Sequence, residues 1–247
     1  MLQTIVDQLR RCGINISRYN HTKRMATEST YAIDQLLRRR KVDVIFDIGA
    51  NVGQTATSYR QLFPEAKIHS FEPSDPAFST LASSFVGDQR FNAWKLAISN
   101  VDGEKDFFCS DDDTCNSLLA PSQDIGNVAL QEKLTSTSKN TVKCSRLDSF
   151  CRQNSIGRID LLKMDIQGAE LQAIEGASEK LSLGDIGLVF SEVQFSPLYQ
   201  DACEFRDISS AMNMHGYKLY GLYNLNHFLE DGLLWGDAIF VHPSLLR

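Results

Sequence analysis

Four carboxylates, Asp47, Glu72, Asp165 and Glu192, each stand at or near the end of a short run of Val, Ile, Leu and Phe. The first lies in Phe46-Asp47-Ile48-Gly49-Ala50-Asn51-Val52-Gly53-Gln54-Thr55, where a buried strand is expected to turn into a helix. Gly49 and Gly53 would permit a tight bend and let the backbone approach a ligand with no Cβ in the way. A helix opening near Gly53 aims its unpaired N–H groups and positive dipole end at the same place. The dinucleotide fingerprint G-x-G-x-x-G would need glycine at positions 49, 51 and 54, whereas this chain carries Asn51 and Gln54, which weakens a pyrophosphate reading. Asp47 suits instead a ligand that presents an ammonium group, unless it merely caps the turn. Glu72 ends KIHSFEP about 25 residues later, the separation at which α/β nucleotide sites place the acceptor for ribose hydroxyls. Pro73 then stops the strand.

Such residues can act together only if the strands that carry them end along one edge of a sheet. From residue 42 onward, apolar runs alternate with segments of helical period, the pattern of βα units and a mainly parallel sheet. VDVIFDIG, KIHSFEP, FNAWKLAIS, IDLLKMDI, IGLVFSEV, YKLYGLYN and WGDAIFVHP supply seven strands. The connection NHFLEDGLL leaves no room for a crossover helix, so the last two strands are expected to be antiparallel neighbours. The expected fold is α/β: a seven-stranded, mostly parallel, doubly wound Rossmann-like sheet with an antiparallel last strand. Ligands of such sheets bind at the carboxyl ends of the strands. Between about residues 100 and 140 the chain turns polar; KDFFCS is expected as an extra strand and the rest as a long excursion, of the kind that usually carries function. Residues 1–40 lie outside this scheme and are expected to form a helical cover, two helices flanking NISRYNHTK at one end of the sheet. The main domain then spans 41–247, interrupted by the excursion at about 100–140.

Composition narrows the partners. With 43% apolar and 23% charged residues and a net charge of -6, the chain lacks the broad basic surface that phosphate neutralisation requires, so nucleic acid is not an expected partner. Six scattered cysteines without a C-x-x-C pair fit a reduced chain. The opening MLQTIVDQLRRCG lacks the features of a secretory signal, and no run approaches the roughly 20 apolar residues of a membrane span. A cytoplasmic protein is the expectation.

VIFDIGANVGQ, then FEP, then LKMDIQGAE resemble the FkbM family of methyltransferases, over about residues 42 to 241, and GINISRYN resembles the segment that precedes the domain there. The resemblance implies a class I methyltransferase fold, S-adenosylmethionine as methyl donor, and O-methylation of a hydroxyl on a sugar, glycan or small natural product. It would place Asp47, Gly49, Ala50, Asn51 and Gly53 around the methionine part of the cofactor, Glu72 and Pro73 at its ribose, and Leu96-Ala97-Ile98-Ser99, hence Ala97 and Ser99, near the adenine. Gln167 departs from the family pattern, where many relatives carry Glu; the change removes a charge and speaks against a base at this position.

Methyl transfer is an in-line displacement for which an enzyme supplies mainly proximity and alignment. A hydroxyl nucleophile must also lose its proton, to a carboxylate, a histidine or a metal-activated group. Asp165 and Glu192, at the ends of LLKMD and LVFSE, are the candidates: either base and orienter, or two oxygen ligands of one Mg²⁺-like ion. A cap on the following helix is the structural alternative for Asp165. Lys163 could pair with a carboxylate or equally serve structure alone. His69 is expected to pack inside a strand and His215 to precede the helix-ending Gly216, while His21 and His227 fall in expected loops as second-choice bases. Trp235-Gly236-Asp237 borders either the substrate pocket or a simple turn. Two competing functions are a nicotinamide-dependent oxidoreductase, disfavoured by the missing glycines, and a non-catalytic adenosyl-ligand binding module, which would keep DIGANVG and FEP without a reactive rim.

Overall fold

The structure is a computed structural model that describes residues 21–246 apart from 111, 123–130, 133, 197 and 229–231. Ten strands are described: β1 (Val44–Ile48), β2 (Lys67–Phe71), β3 (Phe91–Trp94), β4 (Ala97–Ile98), β5 (Gly103–Ser110), β6 (Ser136–Ser145), β7 (Ile159–Met164), β8 (Ile186–Gln194), β9 (Lys218–Phe228) and β10 (Gly232–Val241). Seven of them form one sheet in the order β3-β2-β1-β7-β8-β10-β9. The pairs from β3 to β8 are parallel, and β10 runs antiparallel to both β8 and β9. The expected architecture, with its antiparallel last strand, is therefore the observed one.

Alternation along each central strand explains why both faces are covered. Successive side chains of a strand point to opposite faces. Thus Phe46 and Ile48 of β1, with Leu162 and Met164 of β7, enter one core, while Ile45 and Leu161 enter the other. All of these are almost fully buried, each worth roughly 1.5–3 kcal/mol relative to exposure. On the first face lie α5 (Leu147–Gln153), α6 (Glu170–Gly176), α7 (Ser178–Ser182) and α8 (Phe205–Met214), through Phe150, Ile174, Leu181 and Ile208.

The second face holds α2 (Ser29–Leu37) and α3 (Gln54–Leu62), the latter through Ala56 and Tyr59. Two N-terminal features differ from expectation. Ala32, Ile33 and Leu37 of α2 are buried against Ile45, Leu188 and Ile239, so this helix covers a face of the sheet rather than one end. His21–Thr27 forms a helix of its own, α1, so the last three residues of NISRYNHTK are helical; the rest of that connector, and the helix expected before it, lie outside the described residues.

Three further differences concern the strands. FNAWKLAIS is two strands, because the chain turns after Trp94, whose carbonyl accepts from the Leu96 N–H at 2.9 Å. Its second half, β4, joins β6 and β5 in a separate three-stranded sheet. Much of the polar excursion is therefore ordered: β5 and β6 pair antiparallel from Gly103↔Cys144 to Cys109↔Ser138. Hydrophobic periodicity missed β6 because most of its described side chains face solvent. Finally, β9 continues through His227 to Phe228, so His227 sits on an exposed strand and not in a loop.

Candidate active site

At the carboxyl ends of β1, β2, β7 and β8 opens a cavity of about 490 Å³. Its first wall is the turn after β1. Gly49 takes φ 74°, and a Cβ there would stand 1.9 Å from the carbonyl oxygen of Asp165. Only glycine therefore lets the β1 turn pass so close to the end of β7. The N–H groups of Gly49 and Ala50 both reach the Phe71 carbonyl at 3.0 Å, tying the turn to the end of β2. Asn51 follows in the left-handed region, φ 47°, and aims its N–H at Glu72 Oε2, 2.9 Å away. Glu72 Oε1 accepts the Ser74 N–H at 2.8 Å. The carboxylate is buried yet lines the cavity, held by two backbone donors with lone pairs to spare for a ligand. Burial raises its pKa, and the two N–H groups work against that rise.

Asp47 lies beneath this wall, with no exposure, and is absent from the lining. Its Oδ1 has Lys163 Nζ at 3.4 Å as an ion-pair contact but no hydrogen-bond donor, and Ser70 Oγ lies 3.5 Å from Oδ2. Lys163 donates to the Gly49 carbonyl at 3.0 Å and lies 3.6 Å from Asp165 Oδ2. Burial pushes the Asp47 pKa up against the pull of Lys163. Burial also opposes the Lys163 ammonium, but Asp165, Asp47 and Glu192 more than offset it and hold its pKa above the ordinary value. Lys163, which the sequence offered as a partner of a carboxylate or as a structural residue, is thus the cation that fastens β7 to the β1 turn.

The opposite wall carries Asp165, Gln167 and Glu192. Gln167 Nε2 donates to Asp165 Oδ1 at 2.8 Å and to Glu192 Oε2 at 3.0 Å. Asp165 therefore does not cap the next helix; Glu170 instead accepts the Ile166 N–H at 2.9 Å. The Glu192 pKa is raised well above its ordinary value, by burial first and then by the charges of Asp165, Glu170 and Asp237. Burial likewise pushes Glu170 up to about 7. Asp237 stands directly across from Glu192 in the β8–β10 pairing. Among the described residues no group of three or more His, Cys, Asp or Glu side chains is arranged to hold a metal ion.

Of the other residues singled out from sequence, Ala50, Asn51, Pro73, Ala97 and Trp235 line the cavity. Gly53 and Ser99 do not. Gly53, φ 98°, opens α3 and presents its Cα to Leu81 and Phe85. Ser99 is fully buried, and its Oγ receives Lys105 Nζ at 2.9 Å and reaches Gln172 Oε1 at 3.1 Å. His69 is buried and accepts from Trp94 Nε1 at Nδ1, 3.1 Å, with burial lowering its pKa to about 4; it packs, as expected.

Sequence reasoning missed Gln194, Tyr199 and Ser117. Gln194 lies two residues beyond Glu192 on the same strand face, so the strand period could have found it. Ser117 and Tyr199 reach the site only through tertiary contacts, and no local pattern marks them.

The model of the Methyltransferase FkbM domain matches residues 47–219, well over half of the chain. The 2-O-methyltransferase NoeI of Sinorhizobium fredii (strain NBRC 101917 / NGR234) is 29% identical over 172 residues, spanning 67% of this chain and 69% of that protein. Methyltransferase sdnD of Sordaria araneosa is 26% identical over 157 residues, spanning 55% of this chain and 61% of that one. The crystal structure of methyltransferase FkbM from Methylobacillus flagellatus KT superposes with a TM-score of 0.52 at 14% identity, covering 85% of this chain and 48% of that chain. The present chain thus spans about half the length of that crystallised protein, and the likeness is one of fold. With the family match laid over the same β1 turn, Glu72 and β7–β8 rim that enclose the cavity, the chain belongs to the FkbM methyltransferase family.

Proposed function

We propose that this protein transfers a methyl group from S-adenosylmethionine to a hydroxyl of a sugar, glycan or small natural product. The observation that carries the proposal is Glu72: a buried carboxylate at the cavity wall, fixed by the Asn51 and Ser74 N–H groups, beside a glycine turn that a Cβ would block. A carboxylate with lone pairs to spare is the acceptor that vicinal ribose hydroxyls require. Ala50, Asn51 and Pro73 would form the adjoining wall, and Ala97 with Leu96 and Ile98 the apolar slot for a base. Asp47 would act from below, through Lys163 and the Gly49 carbonyl.

When bound, S-adenosylmethionine supplies a methyl carbon open to in-line attack by an oxygen nucleophile. Glu192 would take the proton of the acceptor hydroxyl, since burial and the neighbouring acids raise its proton affinity. Asp165 would sustain that affinity by its charge. The Gln167 amide already joins the two carboxylates, which favours base catalysis by this pair over a shared divalent ion. The name 2-O-methyltransferase carried by the relative from Sinorhizobium fredii supports oxygen as the acceptor atom.

The test is calorimetry with S-adenosylhomocysteine and with NADH, followed by methyl release over mono- and disaccharides and small hydroxylated natural products. S-adenosylhomocysteine is expected to bind and NADH not to. Binding without methyl release from any acceptor would favour a non-catalytic adenosyl-ligand module, and preference for NADH would overturn the cofactor assignment.

A further inference from the structure

Resting on that proposed reaction, we infer that Gln167 is its positioning residue: the side-chain amide, oriented by Tyr199, clamps Asp165 and Glu192 together at the cavity rim. Two carboxylate oxygens that approach one nitrogen to 2.8 and 3.0 Å repel each other unless something positive lies between them. A primary amide has two N–H bonds, one for each oxygen. Each such bond to an ionised carboxylate is charge-assisted and stronger than a neutral one. The amide does this while adding no charge, whereas a Glu at this position would add a third negative group.

The clamp works in only one orientation. Turned by 180°, the amide would set its oxygen against both carboxylates. Tyr199 selects the working orientation, because its hydroxyl lies 3.1 Å from Gln167 Oε1. That hydroxyl also reaches the Cys115 carbonyl at 3.0 Å, so the Gln167 amide oxygen and the Cys115 carbonyl share its single proton. Tyr199 is almost fully buried, and burial raises its pKa, so it stays a donor at any working pH.

The backbone is pinned as well. Gln167 sits at φ 55°, a left-handed conformation that a non-glycine residue keeps only where its surroundings hold it. Ser117 Oγ donates to the Gln167 carbonyl at 2.7 Å. Ser117 and Cys115 both line the cavity from the excursion. The alignment of the carboxylate pair therefore depends on the cavity wall supplied by that excursion.

The side-chain amide of Gln167 can be followed directly by ¹H–¹⁵N NMR, its signal identified by its loss in Gln167→Met and compared with the exposed Gln61. In the wild-type protein its protons should exchange with solvent at least about tenfold more slowly than those of Gln61. Tyr199→Phe keeps the ring but removes the hydroxyl, and should speed that exchange. On an acceptor from the assay above, both Tyr199→Phe and Gln167→Met should lower kcat by about 10- to 100-fold, the scale of a small misalignment, with little change in KM for S-adenosylmethionine. A Gln167 amide that exchanges as fast as Gln61, or a Tyr199→Phe protein with unchanged exchange and kcat, would overturn the inference. Absence of S-adenosylhomocysteine binding in the wild type would instead defeat the proposed function, and the exchange rates would still decide whether the clamp exists.

Discussion

A single carboxylate illustrates how a side chain acquires a role from its neighbours. Glu72 is an acid at the end of a strand until the Asn51 and Ser74 N–H groups fix both of its oxygens at the cavity wall. Glu72→Ala should therefore weaken S-adenosylhomocysteine binding by about 1–3 kcal/mol, the cost of leaving polar groups without a charged partner. Unchanged affinity by calorimetry in the folded variant would remove Glu72 from the cofactor site. In the proposed reaction Asp165 and Glu192 would serve the chemical step instead. Asp165→Asn and Glu192→Gln should each slow methyl transfer by about 10²- to 10⁴-fold, the scale of general base catalysis. Turnover of the wild type should be indifferent to chelator, since the Gln167 amide holds the position between the two carboxylates. Rates near wild type in both variants would sink the base assignment, and loss of activity in chelator would restore the divalent ion.

Among the elements, the excursion gains most from the structure. Strands β5 and β6 are held by an antiparallel ladder whose register shifts once, between Cys109 and Ser110. The segment 112–118 between them has far fewer ties. Its bonds to the rest of the protein are chiefly the Phe108–Ser117 bridge, the Asn116 side chain on the Ser110 N–H, and the contacts of Ser117 and Cys115 with Gln167 and Tyr199. Segments with few buried apolar contacts open at low free-energy cost. Amide exchange in 112–118 should therefore slow when S-adenosylhomocysteine fills the cavity, while β5 and β6 hardly change. Equally strong protection with and without that compound would show a rigid wall that does not respond to the site.

For the whole molecule, half-buried Asp237, midway along β10 and across from Glu192, makes stability follow pH. Asp237 is pushed up to about 6, by burial first and then by Asp165, against the hydrogen bond from Asn224 and the charge of Lys163. The folded state thus holds this proton more tightly than the unfolded chain does. That contribution is fully present below the ordinary carboxylate range, near pH 4, and is lost as pH rises through about 6. Asp237→Asn removes the titration, so it should melt above the wild type at about pH 8, with the difference shrinking as pH falls toward about 4. A difference that stays constant over that range would show that Asp237 is not perturbed.

Much of this molecule was legible in sequence because its information there is local. Alternating apolar runs and glycine turns identified the seven-stranded sheet, and the acids at strand ends marked the edge where the cavity opens, since strand direction alone decides which ends share a rim. What sequence could not specify is which acids face the cavity and which lie beneath it. Asp47 and Asp165 read alike as strand-end carboxylates, yet burial and Lys163 take the first out of the lining while the second stays at the wall. Nor could it join Gln167 to Tyr199 and Ser117, which are 32 and 50 residues away. Those contacts arise only when separate connections close over the same strand ends, and the resulting burial and hydrogen bonding, absent from any local pattern, decide what each side chain can do.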